Sequence, residues 1–301
     1  MKILFYGAKE NSWIGSMVVK KWKELFPEDE LIISETRIDH SNVEKIKKEI
    51  KNCDRVFSTV GRTSGFILDI EGKKVHIPNI DYLETNLNEN IRDNIYTPIL
   101  LATLCLKYKK HLSYLGTGCI FSRDTRNNDY VYTEEDVPDF FGSSYSIVKG
   151  YTDSLMKQFK HCLNFRIRMP ITDDWNSKNF IAKIANFTKI CSYPNSMTYL
   201  PDIIPVMIDM SRNSITGTYN MVNGSVSHKE ILEKYKEIVD PNHTYELIEE
   251  NDLNGLLKAK RSNNILSNQT ILNCYKLKDI NECIIEALEK MKEKRNEVSK
   301  L

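Results

Sequence analysis

The sequence predicts an α/β fold: a doubly wound parallel sheet followed by a smaller C-terminal substrate lobe. Three observations carry that expectation. Short apolar runs alternate with longer amphipathic stretches in the first half of the chain, a glycine-bracketed loop follows the first run, and the alternation stops after Pro170. The 301 residues allow one compact unit with two lobes, expected at 1–170 and 171–301.

Each element follows from its own residues. The runs at 2–6, 31–34, 55–60, 112–116 and 164–169 are short and rich in residues that favour strands. Those at 13–25, 42–51, 90–109 and 143–158 carry apolar residues at helical spacing. Alternating strands and helices give a parallel sheet that offers its ligand site at the carboxyl ends of the strands. Beyond Pro170 a strand is expected at 218–222, placed to return to the main sheet, with helices at 227–239 and 281–294. The last sixteen residues read as a charged amphipathic, solvent-facing helix.

Composition excludes several classes of partner. The 42 basic and 41 acidic residues leave a net charge of +1, which is no footprint for nucleic acid or an anionic membrane. The longest apolar stretch, 99–106, is too short to span a bilayer. Seven cysteines lie scattered without CxxC or Cys/His ligand spacing, so neither a disulfide framework nor a metal site is expected, and a reducing, cytoplasmic setting fits.

The loop after the first strand reads GAKENSWIG, residues 7–15. Gly7 permits a tight turn and Gly15 a close approach, while Ser12, Trp13 and Ile14 open the next helix, whose free N–H groups suit a dinucleotide pyrophosphate. Ser12 stands roughly where such loops carry a middle glycine, so a bland strand–helix turn is the alternative reading. At the end of the second strand, Arg37 suits the 2′-phosphate of NADPH, whereas Glu35 or Asp39 suits the hydroxyl of NADH; NADPH is expected, with NADH the weaker alternative.

Tyr145 and Lys149 are four residues apart on an expected helix, hence on one face. There the ammonium can lower the phenol's pKa, bind a nicotinamide ribose and let the phenol protonate a carbonyl. Thr117, at the end of the preceding strand, is the third member of such a group. Cys119 lies two residues on, on the same side if the extended backbone continues. It is either a general base or an inert packing thiol.

The blocks GTGCIF (116–121), TEEDVP (133–138), YSIVK (145–149), RIRMPI (166–171), NFIAKI (179–184), PNSMT (194–198) and RSNN (261–264) occur in that order. Together they resemble the plant-type bifunctional UDP-4-keto-6-deoxyglucose 3,5-epimerase/4-reductases, which make UDP-L-rhamnose and have viral relatives. The resemblance covers nearly the whole chain. It implies a Rossmann-type, extended short-chain dehydrogenase/reductase fold with NADPH in the first lobe and a UDP-4-keto-6-deoxy sugar in the cleft. It further implies Thr117, Tyr145 and Lys149 as the reductase group, and Cys119 and Lys183 as the epimerising acid/base pair. Arg261 would meet the diphosphate, Asn195 and Met197 the same ligand, Pro170 the cofactor, and Asn94 the helix behind the reductase group. The loop at 7–15 and the stretch at 65–78 depart from the family pattern. A reductase lacking epimerisation, of the dTDP-4-dehydrorhamnose reductase kind, and a non-catalytic nucleotide-binding subunit are the alternatives. The apolar helices near 98–106 and 143–158 suggest a homodimer.

Overall fold

The computed structural model describes residues 1–123 and 130–298. Six strands, Lys2–Tyr6 (β1), Glu30–Ile33 (β2), Arg55–Ser58 (β3), His111–Thr117 (β4), Cys162–Ile167 (β5) and Gly217–Asn220 (β6), form one parallel sheet in the order β6-β5-β4-β3-β1-β2. The order reverses between β1 and β3, so the switch point that receives ligands lies just beyond Tyr6 and Ser58.

Both faces of the sheet are apolar, as a parallel sheet requires. On one face Phe5 packs 5.6 Å from Phe57, Phe57 packs 6.1 Å from Phe165, and Trp22 of helix Trp13–Leu25 meets Phe5 edge-on at 5.5 Å. Helix Leu200–Arg212 joins this layer through Leu200, Ile203 and Met207. On the other face Leu4, Val56, Leu112 and Tyr114 pack against helices Val43–Lys51 and Thr97–Lys107.

The helix expected at 90–109 is interrupted. Helix Leu87–Ile91 passes through a π-helical turn, Arg92–Tyr96, before Thr97–Lys107 begins. Pro98 is the cause, because it has no N–H to offer the carbonyl of Asn94. That carbonyl instead accepts a 2.6 Å hydrogen bond from Thr152 Oγ1 on helix Ser144–Met156.

After β5 the backbone turns at Met169, whose φ of +40° is rare for a side-chain-bearing residue. The turn hands the chain to a second sheet, in which Pro170–Ile171 lies parallel to Pro194–Tyr199, itself antiparallel to Gly224–Ser227. Ile181, Ile184, Met197, Leu232, Ile284 and Leu288 form the core there, covered by helix Ile280–Val298. The chain crosses back in between, since Leu200–Arg212 and β6 belong to the layers of the main sheet. Of the expected terminal helix, residues 299–301 lie outside the described residues. The divergent stretch at 65–78 forms a hairpin, Gly65–Leu68 with Lys74–Ile77, in which Phe66 faces His76 and Ile67 faces Val75.

Candidate active site

The glycine-bracketed loop sits at the switch point. Gly7 has φ +78°, and a Cβ there would stand 2.8 Å from the amide nitrogen of Val60, so glycine alone lets the turn lie against the end of β3. The Gly7 carbonyl accepts from Thr59 Oγ1 at 2.7 Å and from Ser12 Oγ at 2.5 Å. With its hydroxyl committed to Gly7, Ser12 caps none of the first-turn N–H groups of helix Trp13–Leu25, and Trp13 Nε1 is buried without a partner. Unsatisfied donors at the positive end of a helix fit a pyrophosphate. At the rim of β2, Asp39 is committed to the amides of Ser41 and Asn42, while Arg37 is exposed, 3.9 Å from the Asp39 carboxylate. Pro170 follows the turn at Met169 and opens the second sheet, paired with Thr198.

Ser143 starts helix Ser144–Met156 by accepting from the amide of Ser146. Its first turns bury Tyr145 and Lys149 beside the end of β4. The Thr117 side chain lies beside the Tyr145 phenol and favours its ionised form. Burial raises that phenol well above its ordinary range, and a negative charge on Cys119 would add to the effect. Burial also pushes the Lys149 ammonium down to about 8. The expected Lys149–Tyr145 partnership, with its lowered phenol pKa, is therefore absent here: Lys149 Nζ donates to the Tyr114 hydroxyl and stands 4.7 Å from that ring. Behind this group, Asn94 holds the loop after β3 by donating to the Arg62 carbonyl at 2.9 Å and accepting from the Arg62 amide at 2.8 Å.

β4 ends at Thr117, so the extended run expected to carry Thr117 and Cys119 to one side does not continue. A turn brings Cys119 back instead: its amide donates to Thr117 Oγ1 at 3.1 Å, and its side chain joins Tyr145, Tyr82 and Leu83 in a small apolar cluster. Ile67 and Ile77, from the hairpin's inner side, complete that cluster. Arg168 closes the opposite side, with Nη1 3.4 Å from the Cys119 sulfur.

Lys183 lies on helix Phe180–Ile184, started by Asn179, whose Oδ1 accepts from the Ile181 amide. Burial, with Lys178 and Arg261 nearby, holds its ammonium below the ordinary lysine range. Arg261 pairs with Asp81 at 3.0 Å across the cleft. Asn195 and Met197 are fully buried: Asn195 accepts from Arg168 and from the Asn264 amide, and Met197 belongs to the second core. They hold the wall of the cleft from behind. Asn264 in turn donates to the carbonyls of Gly118 and Phe121, both at 3.0 Å, which straps the 261–264 block onto the Cys119 loop. Sequence reasoning left out Tyr114, Asp81, Ile67 and Ile77, whose roles depend on register and on a loop that no local pattern places. For Arg168 a signal existed: alternation with Arg166 puts both guanidinium groups on one side of β5.

No family model matches the chain. A full-length relative, protein L780 of Acanthamoeba polyphaga mimivirus, is 47% identical over 302 residues, 97% of this chain and 99% of that protein. The crystal structure of the L780 UDP-rhamnose synthase superposes with a TM-score of 0.87 at 45% identity, covering 97% of this chain and 99% of the other. A bifunctional dTDP-4-dehydrorhamnose 3,5-epimerase/dTDP-4-dehydrorhamnose reductase of Arabidopsis thaliana is 39% identical over 194 residues, 63% of this chain and 64% of its own length. A dTDP-4-dehydrorhamnose reductase from Clostridium acetobutylicum shares the fold, with TM-score 0.75 at 17% identity over 96% of this chain and 99% of the other.

Proposed function

Because the chain belongs to the family of the mimivirus L780 UDP-rhamnose synthase, we propose that it is a bifunctional 3,5-epimerase and NADPH-dependent 4-reductase converting UDP-4-keto-6-deoxy-D-glucose to UDP-L-rhamnose. The observation that carries this reading is the meeting of Thr117, Tyr145 and Cys119 in one pocket, with Lys149 one helical turn behind Tyr145. A reductase alone needs no thiol there.

Gly7, Ser12–Gly15 and Arg37 would hold NADPH, which supplies the hydride for the C4 carbonyl when bound. The rest is done by the chain. The C4 ketone acidifies the protons at C3 and C5. Cys119 as thiolate takes one of them, forming S–H while the C–H electron pair moves into an enolate on O4. Lys183 returns a proton to the carbon from the other face, suited to donation by an ammonium held below the ordinary lysine range. For reduction, Tyr145 gives its proton to O4 while Thr117 donates to the same oxygen; desolvation of the phenol keeps that proton in place until O4 becomes basic. Arg261 is placed to exchange its Asp81 contact for the sugar-nucleotide diphosphate.

The enzyme works as a homodimer through the face made by helices Thr97–Lys107 and Ser144–Met156. Support comes from a surface hollow lined by Ile95, Tyr96, Ile99, Leu100 and Leu155, with Leu106 and Tyr151 also exposed on these helices.

Incubation with UDP-4-keto-6-deoxyglucose and NADPH in D2O tests the reading. The expected product is UDP-L-rhamnose with deuterium at C3 and C5, and the Cys119→Ser variant should lose that incorporation. An undeuterated 6-deoxy product would leave a reductase alone, and deuterium entry at the wild-type rate in Cys119→Ser would remove the thiol from the reaction.

A further inference from the structure

Two arginines, two residues apart at the end of β5, have opposite electrostatic surroundings. Both side chains are buried. Arg166 is neutralised by Asp153, with Nε at 2.9 Å and Nη2 at 2.6 Å from its carboxylate. Arg168, only 1% exposed, has no carboxylate within ion-pair distance among the described residues. Its Nη2 donates to Asn195 Oδ1 and the Ser262 carbonyl, its Nη1 lies 3.4 Å from the Gly118 carbonyl and 3.3 Å from Ser262 Oγ, and its Nε is buried without a partner. A guanidinium does not give up its proton in a protein, and a buried charge with only neutral partners is costly. Such a cation calls for an anion. The ionisable acid in contact with it is the Cys119 thiol, at 3.4 Å.

We propose that Arg168 is a positioning residue whose buried charge holds Cys119 as a thiolate, the form able to take the proton beside the C4 ketone. This inference rests on the epimerase reading above. Three observations point the same way. The guanidinium cannot swing away, because Asn195 and Ser262 grip it from the second lobe. The charged or titratable groups around the sulfur are Arg168 from the end of β5 and Tyr145 and Lys149 from helix Ser144–Met156, with His228 near the guanidinium, so among the described residues no carboxylate competes for the cation or repels the thiolate. The hairpin contributes only Ile67 and Ile77 to the cluster, an apolar cover that keeps the local dielectric low and the ion pair strong. A purely structural clamp would need the hydrogen bonds to Asn195 and Ser262, but not a charge pointed at a sulfur.

The test is alkylation of Cys119 by iodoacetamide in the full-length enzyme without substrate, read by peptide mass spectrometry from about pH 5 to 10. The wild-type rate should reach half its plateau below the ordinary thiol value of about 8.5. Arg168→Lys, which keeps the charge, should stay near wild type. Arg168→Gln should move the midpoint up by about 1 to 3 pH units, the range expected for losing an adjacent opposite charge. Near neutrality it should also lose at least about tenfold in deuterium entry at C3 and C5, while NADPH oxidation with a pre-epimerised sugar changes by less than about threefold. A wild-type midpoint at or above about 8.5 overturns the inference without recourse to any variant, and so do Gln and Lys variants with the same profile. The epimerase reading fails separately, if Cys119→Ser still exchanges deuterium at the wild-type rate.

Discussion

Gly15 is where one methyl group tests how tightly the cofactor loop is built. In an unconstrained helix, replacing glycine by alanine stabilises by about 0.5–1 kcal/mol, because less backbone entropy is lost on folding. Gly15 is buried within helix Trp13–Leu25, so alanine meets no backbone penalty there. Space is the obstacle. An added Cβ would lie 2.5 Å from Ser12 Oγ and 2.7 Å from the Ala8 Cα, and closer still to the Gly7 carbonyl oxygen. Ordinary carbon contacts sit at about 3.5–4.0 Å, so the overlap is on the order of 1 Å. The Ser12 hydroxyl can rotate away, but Ala8 and Gly7 present backbone. Overpacking of this kind costs about 1–3 kcal/mol and outweighs the propensity gain. The loop must also shift by a large fraction of an ångström against β3, which carries the first-turn N–H groups off the pyrophosphate position. Gly15→Ala should therefore lower the urea midpoint and weaken NADPH about tenfold or more, roughly 1.4 kcal/mol, in a fluorescence titration. A variant as stable as wild type that binds NADPH within about twofold would refute the argument that this contact shapes the cofactor site.

Tyr145→Phe should lower NADPH oxidation by about 10²- to 10⁴-fold with an unchanged melting temperature, since it removes only the proton donor; near-normal turnover would end the reductase assignment. Arg37→Ala should weaken NADPH far more than NADH, as only the former offers a phosphate, and equal losses would remove Arg37 from that role. With Lys149 held at about 8, the ammonium is charged below that pH and neutral above it, so kcat/KM for reduction should hold below about 8 and fall as pH rises through it. A limb first appearing near 10 would contradict the buried-lysine argument. Placing glutamate at Leu155 should yield monomers by light scattering if the apolar helix face is the dimer seam, whereas an unchanged mass would locate any dimer elsewhere.

Local pattern was enough for most elements whose signal is a periodicity, the helix interrupted at Arg92–Tyr96 being an exception. β1 and helix Trp13–Leu25 fall where the alternation puts them, and β3 and β5 lie within a residue or two of it, because strands of a covered parallel sheet are rich in apolar residues. Tyr145, Lys149, Thr117 and Cys119 were legible as types at spacings. The family blocks added Lys183 and Arg261, which no spacing singles out.

What sequence alone determined was thus the sheet, the glycine-bracketed loop at its switch point and the residue types that gather around Tyr145. Tertiary structure decided which of those residues face one another. The π-turn at Arg92–Tyr96 arises because a carbonyl freed by Pro98 finds Thr152, fifty-eight residues from Asn94. Lys149 turns to Tyr114 because helix Ser144–Met156 packs on β4 and buries both side chains together. Arg166 and Arg168 look alike on the strand, yet one meets Asp153 and the other a thiol, since the helix packed beside β5 supplies a carboxylate at one position and the Gly118–Cys119 turn supplies sulfur at the next. Charges and hydrogen bonds act over a few ångströms, and chain folding rather than chain order sets which groups come that close.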